Sequence, residues 1–151
     1  MDLFTYLFDL ITAKKLEYLS ETMKNADELP FFELFVQLYQ QGTKFAFENP
    51  RFISIMNHLM KNRSIVYDKL IKDGLDLARQ YYIAMIDRDK EKGLIKDDID
   101  SLTLADLVIN MTVNVAVDEI MMHGENLDFD DMLERTNKIL HIFKKGILTG
   151  E

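Results

Sequence analysis

Leu107-Val-Ile-Asn-Met-Thr-Val-Asn-Val-Ala-Val117 holds no charged residue, no glycine and no proline. Coiled as a helix, it points apolar side chains in nearly every direction, and a helix that is oily all round is normally covered all round. A chain of 151 residues builds one modest core. That core covers one side of such a helix, so a second copy of the chain is expected to cover the other. Working outward, every neighbouring segment has the same three-to-four spacing of apolar residues and none alternates like a strand. The expected fold class is all-α, a single domain over residues 1–151 with about six helices.

The helices read as follows. The first spans about Asp2 to Met23 and shows Leu3, Phe4, Leu7, Phe8, Ile11, Leu16 and Leu19 on one face, with Asp2 as its cap. Asn25–Pro30 is a turn. The second runs from Pro30 to Phe47 and the third from Arg51 to Met60. Asn49 is expected to cap the third helix and Pro50 to enter its first turn. The fourth is long, from about Ser64 to Lys92, and contains Gly74. An interior helical glycine costs about 1 kcal/mol against alanine, so either a neighbouring element approaches closely there, which is the expected cause, or the helix bends. Gly93 suits the left-handed residue that follows a helix. The fifth helix starts near Ser101 and ends before Gly124. The sixth runs from about Asp128 to Leu148, where Phe129, Met132, Thr136, Ile139 and Phe143 form a near-heptad stripe widened by Leu133, Leu140 and Ile147. The last two helices are thus expected to carry surplus apolar surface, shared by two copies through Val108, Val115, Met122, Met132, Thr136, Ile139 and Phe143.

Composition removes several function classes. The formal net charge is -8, and ten acids with no Lys or Arg lie between Asp97 and Asp131. Polyanions are bound through Lys and Arg, so the chain by itself is a poor nucleic-acid binder. The acid excess reads as solvated surface, or as a surface that favours cationic ligands. With no cysteine, disulfides and thiolate metal sites are excluded and a reducing cytoplasm is the expected compartment. Met1-Asp2 opens on an acid where a signal peptide needs bases, and no apolar run is long enough for a bilayer. Nine methionines and ten phenylalanines serve mainly as core, although methionine also suits adaptable cavities.

Catalytic chemistry is not legible. His58, His123 and His141 share no helix at ligand spacing, and Glu119 and His123 are four apart rather than the three of di-iron bundles. His58 alone does not make a haem crevice. Asp97, Asp98 and Asp100 resemble part of a calcium loop but lack its glycine and closing glutamate. No phosphate-cradling glycine loop, nucleophile elbow or Cys–His pair occurs. No enzyme activity, metal or cofactor is expected.

Four segments, in order, resemble the C-terminal domain of the TetR family of bacterial transcription regulators. Asp2-Leu-Phe-Thr-Tyr-Leu-Phe8 resembles the start of the family's fourth helix. Glu48-Asn-Pro-Arg-Phe52 resembles the Asn-Pro opening of its sixth, Gly93–Asp100 the turn before its eighth, and Ile139–Ile147 the end of its ninth. The resemblance spans the chain but includes nothing like the family's helix-turn-helix head, so DNA enters only through a domain outside this chain, which is expected to be a truncated or excised form. What it implies is an effector-sensing and dimerisation domain of a regulator, expected to be a repressor, that binds a small apolar or cationic molecule and relays a shape change to that head. The implied pocket lies between the second to fifth helices and is lined by Phe52, Met56, Leu59, Tyr67, Tyr81, Tyr82, Met85, Met111 and Asn114. Each of these residues also suits plain core packing. Asn110, Asn114 and Asp118 stand out as polar groups on an apolar helix that need partners. The alternative reading is a homodimeric helical protein-interaction module with a solid interior.

Overall fold

The structure, a computed structural model, describes residues 3–61, 65–111 and 128–150. Helices make up the fold: α1 (Leu3–Lys24), α2 (Phe31–Glu48), α3 (Pro50–Lys61), α4 (Ile65–Glu91), α5 (101–111) and α6 (Phe129–Ile147). Among the described residues, extended pairing is limited to one antiparallel bridge between Ile95 and Leu148. The fold is all-α.

Helix α2 is the hub. Its apolar residues fall at adjacent and three-to-four spacings, so they cover more than one face. Phe31, Phe32, Leu34, Phe35 and Tyr39 are all buried. They meet Met85 and Ile86 from α4, Leu104, Ala105 and Val108 from α5, and Leu140 and Ile147 from α6. A relay of rings crosses this core. Tyr82 of α4 meets Phe31 edge-on at 5.9 Å, Phe31 stacks on Phe35 at 6.4 Å, and Phe35 reaches Phe143 of α6 at 6.0 Å. Each buried aromatic contributes about 1.5–3 kcal/mol by leaving water. Helix α1 lies against α2, with the buried Thr22 hydroxyl donating to the Gln41 amide oxygen at 2.5 Å.

The helix ends show why the chain breaks where it does. Asp128 caps α6 and accepts from Asp130 N at 2.9 Å. Asp100 precedes α5 and accepts from both the backbone N and the hydroxyl of Thr103. Those bonds to the charged carboxylate, the hydroxyl's foremost, hold it below the usual range. Pro50 opens α3, and the Asn49 amide donates back to Phe45 O at 2.8 Å, satisfying the end of α2. Gly93 has φ +69°; Leu94 N reaches back to Asp89 O and Gly93 N to Lys90 O, both at 2.9 Å. This six-to-one and five-to-two pairing needs a left-handed residue and closes the last carbonyls of α4.

Gly74 departs from expectation. It is exposed in an unbroken helix, and a Cβ built there meets nothing within 4 Å. Among the described residues no element packs closely on it, so the glycine loosens α4. Gly74→Ala should therefore raise stability by about 1 kcal/mol, read as a higher urea midpoint at unchanged slope; a loss would mean that the position is sterically closed.

Candidate functional site

Of the nine residues expected to line a pocket, Asn114 lies outside the described residues, as do the side chains of Met56, Leu59 and Tyr67. Four of the other five belong to the main core or pack against it. Tyr81 and Tyr82 are half-buried on α4 with ring centroids 5.9 Å apart, Met85 is buried one turn on, and Met111 of α5 packs against the same core. Burial, foremost, pushes the phenol of Tyr82 above its ordinary value, as it does that of Tyr81. Both hydroxyls therefore stay protonated at neutral pH and are available as neutral hydrogen-bond groups. Phe52 belongs elsewhere. It stacks on Phe45 at 6.0 Å, and Phe45 meets Tyr18 at 5.4 Å, in a separate cluster where α1, α2 and α3 join.

The residues expected at a dimer seam divide similarly. Val115 and Met122 lie outside the described residues, as does Asp118. Val108 is fully buried, Met132 and Thr136 are each 4% exposed, Ile139 is half-buried, and Phe143 packs on Phe32 and Phe35. The α6 stripe is thus covered largely by its own chain. Its solvent face carries Arg135, Lys138, His141 and Lys145 beside Ile142, the large apolar side chain of α6 that is exposed, while Phe129, Leu133 and Ile139 are half-buried. On α5 the expectation fares differently. Leu104, Ala105, Val108 and Ile109 face the core, whereas Leu102 and Leu107 remain 49% exposed on flanks of the same helix. One subunit covers one side of α5 over the described residues. Exposed Asn110 sits on that outer side.

Comparison of the chain with family models, curated proteins and solved structures yields no match.

Two features escaped the sequence reading. The first is a polar clamp at the end of α4. Asp89 is 1% exposed. Its Oδ2 accepts from Phe31 N, the first residue of α2, at 2.6 Å, and its Oδ1 accepts from Arg88 Nε at 2.9 Å. The Arg88 guanidinium also donates to Leu29 O at 2.7 Å and to Asp27 O at 3.0 Å. Pro30 stands at the cap position of α2 and supplies no side-chain cap, so a carboxylate from another helix takes that role. The acid and base together grip the α1–α2 turn by an N–H and two carbonyls, which compensates the buried charge.

The second is a clasp at residues 147–149. Lys96 N donates to Ile147 O at 3.0 Å and Thr149 N to Leu94 O at 3.1 Å. Lys96 Nζ donates to Gly146 O and Lys145 O, tying off carbonyls at the end of α6. Between this clasp and the start of α2 lies a groove of about 530 Å³. Phe32, Val36, Leu94 and Leu148 give it apolar walls; Glu33, Gln37, Lys144 and Thr149 also line it, and it reaches Asp89. It shares no residue with the expected pocket. Pro30 and the Gly93 turn were the available signals for clamp and clasp, but each marks a break without naming a partner.

Proposed function

We propose that this chain is the effector-sensing and dimerising domain of a TetR-like transcriptional regulator, acting as a repressor through a DNA-reading head outside this chain. The observation that carries the reading is the exposed pair of leucines on α5: Leu104, Ala105 and Val108 close on the core while Leu102 and Leu107, on its two flanks, are each 49% exposed. The inner side of the same helix contributes Met111 to the core that also receives Tyr81, Tyr82 and Met85. An effector held there touches the helix that pairs the subunits, and by preferring one arrangement of α1 and α4 it shifts the population of head separations. Methionine and tyrosine suit an apolar or cationic guest, because the thioether repacks cheaply and a phenol ring attracts cations. The order of helices around Pro50 and Gly93 supports the resemblance stated above. The acidic charge agrees with DNA binding residing elsewhere.

A protein-interaction module is the second reading. It is favoured by Leu3, Tyr6 and Leu10, which are 69%, 56% and 37% exposed and fall on one side of α1. In the first reading this stripe is a seat for the head; in the second it docks a different protein.

A thermal-shift screen of apolar and cationic compounds, followed by native mass spectrometry, separates the two. The sensor reading predicts that at least one compound raises the melting temperature and binds once per subunit. Weaker binding to Met85→Ala would locate it; at a hundred times Kd the ligand adds about 2.7 kcal/mol of stability. No stabilising compound, with a solid interior, would favour the interaction module.

A further inference from the structure

No further inference is drawn: the strongest candidate, the groove of about 530 Å³ between the start of α2 and the clasp after α6, presents two acids, a base, an amide and a hydroxyl beside its apolar walls, so its chemistry selects no single ligand class and nothing in the structure shows what fills it.

Discussion

Asp89→Ala is expected to cost roughly 3 kcal/mol of unfolding free energy, in the range for breaking a buried, hydrogen-bonded pair. The carboxylate is 1% exposed and serves two donors, Phe31 N at 2.6 Å and Arg88 Nε at 2.9 Å. Truncation leaves the first N–H of α2 without an acceptor in a place water reaches poorly, and an orphaned buried donor alone costs about 1–3 kcal/mol. It also strips the guanidinium of its counter-charge while Leu29 O and Asp27 O still hold it in place. For a chain of this size that is a fall in Tm of about 6–12 °C. Asp89→Asn separates the two contributions. Its amide oxygen can still accept from Phe31 N but carries no charge, so its loss should be clearly smaller. Urea denaturation of both variants reads this directly. Equal, slight losses below about 1 kcal/mol, the size of a net exposed hydrogen bond, would mean that the clamp is solvated and that α4 does not hold the start of α2.

Phe35→Ala is the second large effect, at about 3–5 kcal/mol. Phe35 is 1% exposed and lies among the rings of Phe31, Phe32, Tyr39 and Phe143. Removing it deletes the transfer energy of one ring and leaves a void between α2 and α6, because helices fixed at both ends by caps and clamp cannot close in fully. Phe35→Leu, which keeps more of the volume, should lose markedly less. The measurement is again the denaturation midpoint, supported by near-ultraviolet circular dichroism of the ring cluster. A variant as stable as the parent would place Phe35 outside the core and unseat α2 as the hub.

The helices were legible because what specifies them is local. Phe31, Leu34, Phe35 and Tyr39 declare a buried helix within three turns, and Asp128, Pro50 and Gly93 punctuate the chain through their own backbone chemistry. Non-local partners were not legible. Asp89 caps a residue 58 positions away, and nothing in its immediate neighbours distinguishes it from the solvated acids around it. The clasp of Lys96 and Thr149 joins segments about fifty residues apart and takes its meaning only from the fold. The stripe on α6 shows the same limit: periodicity gives the apolar face of a helix but not whether its own subunit or a copy covers it, and Met132 and Thr136 turn inward. For the candidate site, Met85 joins the main core and Tyr81, Tyr82 and Met111 pack against it, which is as far as helical spacing reaches. Phe52 does not join them, because α3 leaves the Asn49–Pro50 break to pack with α1 and α2.

The proposed pairing of α5 across two copies underlies the proposed function, and sedimentation equilibrium tests it most directly. At micromolar concentration the chain should sediment near 35 kDa, twice its 17.7 kDa mass, and Leu107→Glu, which puts a charge on the exposed flank of α5, should sediment as a folded single subunit. A parent chain that stays at 17.7 kDa across the concentration range would contradict the account, since Leu102 and Leu107 would then face only water.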